Sequence, residues 1–127
     1  MIQYIEYINR KKIMNIENIN NKINKFSEDR DWDQFHSPKN LVMALSGEVG
    51  ELNEIFQWLT EEQSSNLASD TKKHTEEEVA DIAIYLLRLC TKLNINIEDA
   101  IVSKLENNEL KYPIHKAKGN AKKYNEL

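Results

Sequence analysis

Apolar residues recur at helical spacing along most of this chain. Ile16, Ile19, Ile23 and Phe26 return every three or four positions and predict an amphipathic helix over 15–28. Leu41, Leu45, Leu52, Ile55 and Leu59 predict a second over 38–59. Ser37-Pro38 opens it, Ser as N-cap and Pro in the first turn. Val79, Ala83, Leu86, Cys90 and Leu93 form the expected core face of a third helix over 75–93. A fourth, over 97–110, is capped by Asn96, carries Ile97, Ile101 and Leu105, and is closed off by Pro113. Between these helices, 29–36 is a polar, aromatic connector and 60–73 reads as a polar loop. Only 3 Gly and 2 Pro punctuate the sequence, which disfavours turn-rich β architecture. The expected fold is therefore all-α, a four-helix bundle, with 1–14 as an N-terminal extension and 113–127 as a basic C-terminal tail.

Composition narrows the class without choosing a chemistry. At 127 residues, 40% hydrophobic and 30% charged, the chain suits one soluble domain with a real core. A net charge of −4 argues against binding a nucleic-acid polymer, which needs a basic surface. No apolar run approaches the roughly 20 residues of a membrane span, and the start Met1-Ile-Gln-Tyr-Ile-Glu6 lacks the order of a secretory signal. The single cysteine, Cys90, forms no intrachain disulfide, suits a cytoplasmic location and falls in line with core positions.

The informative chemistry lies in two short acidic blocks, Glu48-Val-Gly-Glu51 and Glu78-Val-Ala-Asp81. An i, i+3 spacing points both members of each pair the same way on a helix. Packed face to face, the two helices bring four carboxylates together, and such like charges repel unless a cation neutralises them. Oxygen ligands at that density suit Mg²⁺ or Mn²⁺, with substrate phosphates completing the shell. Glu48 falls inside the leucine stripe, between Leu45 and Leu52, where a carboxylate is costly unless paired or metal-bound. Glu51 lies at the stripe's edge, in line with Trp58, and Glu54 falls on the outer face. Gly47 and Gly50, mid-helix, suggest close helix contact. Glu78, Asp81 and Tyr85 group on the flank of the third helix. Thr75-Glu-Glu-Glu78 also matches a capping box, a purely structural alternative for Glu78, whereas Asp81 has no such rationale mid-helix.

The fourth helix places Lys104 and Asn108 among apolar residues. Either Lys104 snorkels to water and Asn108 caps a neighbour, or the two bind a phosphate and a base or sugar. Trp32, Phe35, Trp58, Tyr85 and Tyr112 either stack on a base or fill the core. His36, His74 and His115 lack the spacing of a di-iron or zinc site. No phosphate-binding glycine loop or nucleophile elbow occurs.

The ordered blocks Arg30-Asp-Trp-Asp-Gln-Phe-His-Ser-Pro-Lys-Asn-Leu41, Gly47-Glu-Val-Gly-Glu-Leu52, Phe56-Gln-Trp58 and Ile82-Ala-Ile-Tyr-Leu86 resemble the MazG-like all-α nucleotide pyrophosphohydrolases, in their dCTP pyrophosphatase branch. Ser103-Lys104, Asn108, Lys111-Tyr-Pro113, His115, Gly119 and Lys123-Tyr124 extend the likeness from about Ile16 to Leu127. The resemblance implies a catalytic domain over 15–112, assembled as a homotetramer or homodimer. It implies Mg²⁺-dependent hydrolysis of a nucleoside triphosphate to monophosphate and pyrophosphate, with dCTP or a related, modified dNTP as substrate. Glu48, Glu51, Glu78 and Asp81 then match metal ligands. Trp32, His36, Trp58 and Tyr85 match positions around base and sugar, while Lys104, Asn108 and Tyr112 match nucleotide contacts, chiefly to phosphate. Glu51 is the expected general base and Lys104 the fixed positive partner. The rival expectations are dUTP or a phosphoribosyl-nucleotide as substrate, or a non-catalytic helical scaffold.

Overall fold

The computed structural model describes residues 15–127 together with Ile2; the extension read over 1–14 otherwise lies outside the described residues. Among the described residues there are only helices and turns. They are α1 (Ile16–Asp29), α2 (Pro38–Phe56), α3 (Glu61–Ser65), α4 (Ser69–Lys92), α5 (Ile97–Lys111) and α6 (Ile114–Ala117), with 3-10 turns at Asp33–Phe35 and Tyr124–Glu126. The all-α expectation holds, and the four long helices stand where the apolar periodicity put them. They fall into two compact units, Met1–Leu93 and Asn94–Leu127.

In the first unit α2 lies along α4, and α1 packs on α4 as well. The Asn15 side chain caps α1 by accepting from the Asn18 N–H at 3.0 Å. Beyond α1 the chain reverses through Asp31, whose φ of 53° is a left-handed conformation that a short polar side chain tolerates. Ser37 caps α2 as expected, accepting from the Asn40 N–H at 3.2 Å, and the Asn40 side chain ties back to the Phe35 carbonyl at 3.1 Å. The expected stripe of α2 turns inward: Leu41 is fully buried and Leu45, Leu52, Ile55 and Leu59 are half-buried.

Five expectations are corrected. The stretch 60–73 is no open loop: Thr60 and Gln63 form a reciprocal capping box that starts α3, and α4 begins at Ser69. Thr75 consequently sits inside α4, its hydroxyl donating to the Thr71 carbonyl at 2.7 Å, so Thr75 and Glu78 form no cap. The inward face of α4 is also rotated from the predicted one. Glu78, Leu87, Arg88 and Cys90 are buried, whereas Val79, Leu86 and Leu93 are largely exposed. An apolar arc this wide cannot all face one neighbour, and Arg88 of α4 finds partners inside that the apolar pattern does not register. On α1, likewise, Phe26 is half exposed, and Ser27 takes the buried position. Apart from the helix's own neighbouring backbone, no atom comes within 4 Å of a Cβ built at Gly47 or Gly50, so neither marks a close helix contact within the described residues.

In the second unit Asn96 caps α5 as expected, accepting from the Asp99 N–H at 3.0 Å. The tail is not free coil: Tyr124 meets Tyr112 edge to face at 6.2 Å, with the Lys111 ammonium 4.9 Å from its ring centre. Ile101 and Leu105 are half exposed, so the face shared with Lys104 and Asn108 is not the core position the spacing predicted.

Candidate active site

Glu48 enters the site because it occupies a core position of α2, and α4 runs alongside carrying Glu78 and Asp81. One oxygen from each of these three carboxylates lies within 4.8 Å of the others, a group able to hold a metal ion. Glu78 is only 6% exposed. One of its oxygens lies 3.2 Å from Nε2 of His74, one turn earlier on α4. The other, and Oε2 of Glu48, are buried with no hydrogen-bond partner among the described residues. Two orphaned carboxylate oxygens in an all-oxygen set fit a hard divalent cation. Burial, the adjoining Glu78 carboxylate and the neighbouring charge of Glu51 push the Glu48 carboxyl up to about 7. Glu51 therefore joins the cluster electrostatically, and with Glu54, Ile55 and His74 it lines a cleft of about 410 Å³ beside it.

A second cavity, of about 440 Å³, is walled by Ile23 and Phe26 of α1, by Trp32 and His36 of the connector, and by Asp81, Tyr85 and Arg88 of α4. Asp81 belongs to both the acidic cluster and this wall, so the two regions are contiguous. Trp32 meets Phe26 edge to face at 5.6 Å and His36 at 6.4 Å. The volume and the mostly aromatic and aliphatic walls suit a small flat ring.

Arg88 holds this wall in place. Its Nε donates to His36 Nδ1 at 3.1 Å, its Nη1 to Asn24 Oδ1 at 2.9 Å, and its remaining amine pairs with the Asp33 carboxylate, which Lys92 also contacts at 3.0 Å. Burial lowers the pKa of the guanidinium, partly offset by the Glu28 charge, but from so high a starting point it stays protonated. Burial also raises the Cys90 thiol, which makes it inert core.

The structure thus gathers Glu48, Glu51, Glu78 and Asp81 in one place, and Trp32, His36 and Tyr85 around one cavity. Trp58, 84% exposed past the end of α2, lines neither. Lys104, Asn108 and Tyr112 lie on α5 and its C-cap in the second unit, Lys104 exposed and the other two half-buried. Nothing in the apolar periodicity or the acidic spacing marks Arg88, Asn24 or Asp33 as a group. A signal for Arg88 was present, since it is the one charge in the otherwise apolar run 82–90.

The family model of the MazG-like family matches residues 43–127, the stretch carrying all four carboxylates. The chain belongs to the MazG-like family. Among its relatives, dCTP pyrophosphatase 1 of Mus musculus is 40% identical over 114 residues, 88% of this chain and 67% of that one. The Homo sapiens protein of the same name is 39% identical over the same shares of both chains. A crystal structure of a pyrophosphatase from Archaeoglobus fulgidus superposes with a TM-score of 0.74 at 40% identity, covering 80% of this chain and 94% of that one. This MazG-like chain thus shares both fold and sequence with proteins named for pyrophosphatase activity.

Proposed function

We propose that this chain is a nucleoside triphosphate pyrophosphohydrolase that cleaves dCTP, or a closely related dNTP, to the monophosphate and pyrophosphate. The observation that carries the reading is the continuity of an all-carboxylate cluster with an aromatic-walled cavity through Asp81. Glu48, Glu78 and Asp81, with Glu51 beside them, would hold Mg²⁺ or, less selectively, Mn²⁺. When bound, such an ion neutralises triphosphate charge and makes water a better nucleophile near neutral pH. The chain's own groups supply the rest. Trp32 and Tyr85 flank the base, and Glu51 accepts the proton of the attacking water. The water oxygen bonds to the α-phosphorus, the bond from that phosphorus to the bridging oxygen breaks, and pyrophosphate leaves. Lys104, Asn108 and Tyr112 are assigned to the phosphates, and Trp58 to the base, on family resemblance.

We also infer a homo-oligomer, tetramer or dimer. Only Leu41, Leu87 and Cys90 are buried apolar residues among those described, and Val49, Val79, Leu86 and Leu93 stay exposed on α2, on α4 and at its C-cap. Among the described residues no helix is long and apolar enough to cross a membrane, and the buried free thiol suits a reducing compartment such as the cytoplasm.

The test is pyrophosphate release from dCTP, dUTP and a phosphoribosyl-nucleotide, side by side, with and without Mg²⁺. The expected result is Mg²⁺-dependent pyrophosphate with dCTP preferred, and loss of activity on the order of 100-fold in Asp81→Asn. A preference for another nucleotide would change the substrate. Absence of stoichiometric Mn²⁺ binding by calorimetry would favour a scaffold.

A further inference from the structure

Arg88 is 4% exposed and turns its guanidinium onto His36, Asn24 and Asp33, with two hydrogen bonds and an ion pair. A guanidinium only donates hydrogen bonds. His36 Nδ1 must therefore accept, which leaves the ring neutral with its single proton on Nε2. Protonating Nδ1 would set one N–H against another. Burial and the Lys92 charge both lower the His36 pKa, in keeping with a neutral ring. His36 forms part of the cavity wall, and Nε2 has no partner among the described residues.

We propose that Arg88 is a positioning residue for base recognition: it locks His36 as the Nε2–H tautomer and so fixes an N–H donor in the cavity wall, aimed at a carbonyl or ring-nitrogen acceptor of the base. The base is the partner because, although Lys22 and Asp81 also line it, Ile23, Phe26, Trp32, Ile84 and Tyr85 make most of the surrounding wall apolar and aromatic, which suits a flat ring better than a phosphate. The same guanidinium clamps Asp33 and Asn24, so it also holds the connector that carries Trp32. A rotatable lysine could not reproduce a fork that meets an imidazole, an amide and a carboxylate at once. This inference rests on the cavity being the nucleotide pocket.

The experiment records long-range ¹H–¹⁵N correlations of the histidine rings in the full-length chain at pH 7.5, with His36 assigned by its loss in His36→Asn. The expected wild-type pattern is one bare nitrogen at Nδ1 and one protonated nitrogen at Nε2. Arg88→Met, which keeps bulk but donates nothing, shifts His36 to a mixture of tautomers. His36→Asn keeps an acceptor for Arg88 but loses the Nε2 donor. It raises the KM for dCTP about tenfold with a smaller change in kcat and an unchanged circular-dichroism spectrum. If Arg88→Met does not fold, the wild-type tautomer and the His36→Asn kinetics decide. A wild-type ring protonated on Nδ1 or averaging between tautomers, in a protein that turns over dCTP normally, overturns the role of Arg88 alone. An unchanged KM in His36→Asn overturns the donor. A locked tautomer in a protein that hydrolyses no nucleotide overturns the pocket reading and the recognition role with it.

Discussion

Glu48 concentrates the physics of this protein in one side chain. It occupies a leucine position, so its carboxyl is desolvated, and three further acids surround it. Its pKa in the fold stands at about 7 against an ordinary 4.5, so the folded state binds this proton more tightly than the unfolded chain does. The sign follows: the associated stability is fully present below about pH 4.5 and is lost as pH rises through about 7. Chelator-treated protein should therefore show a thermal midpoint that declines from pH 5 to 7.5, and Glu48→Gln should flatten that decline. A divalent cation has to displace the same proton, so the calorimetric affinity for Mn²⁺ should rise between pH 6 and 8. A pH-independent midpoint in the wild type would contradict the burial of this group. Arg88 is the counterpart on the next wall, a buried charge made tolerable by three partners where Glu48 has almost none.

At the scale of elements, the helix starts show what local sequence encodes. Ser37-Pro38 and Asn96 were readable because a cap is a contact over three residues. Ser37→Ala should cost about 1 kcal/mol in chemical denaturation for the same reason. The start of α4 is not legible locally, because Thr75 and Glu78 satisfy the capping pattern as well as Thr60 and Gln63 do, and only the course of the backbone decides between them. Gly50 makes a second test. Its position in α2 leaves open space around a new Cβ, so Gly50→Ala should stabilise an isolated chain by about 0.5–1 kcal/mol. A destabilised variant would mean that another copy of the chain packs against that turn.

For the whole molecule, the apolar residues left over are the informative ones. Val79, Leu86 and Leu93 recur every seven residues along α4, each more than a third exposed. Sedimentation should give a species larger than a monomer, and Leu86→Asp should shift it to smaller species. A monomeric wild type would remove the reason for so much exposed apolar surface. The all-α class, the long helices and the alignment of the two carboxylates within each acidic block followed from the sequence alone, because period, capping and i, i+3 spacing are properties of a few neighbouring residues; the packing of α2 on α4 brought the two blocks together. Tertiary structure decided which face of α4 turns inward, that Thr75 caps nothing, that Trp58 stands apart from the cavity, and that Arg88 closes a network reaching back to Asn24. The Arg88 network joins partners more than fifty residues apart, and which face of a helix turns inward depends on which polar groups find a mate when water is excluded. No local pattern carries that information.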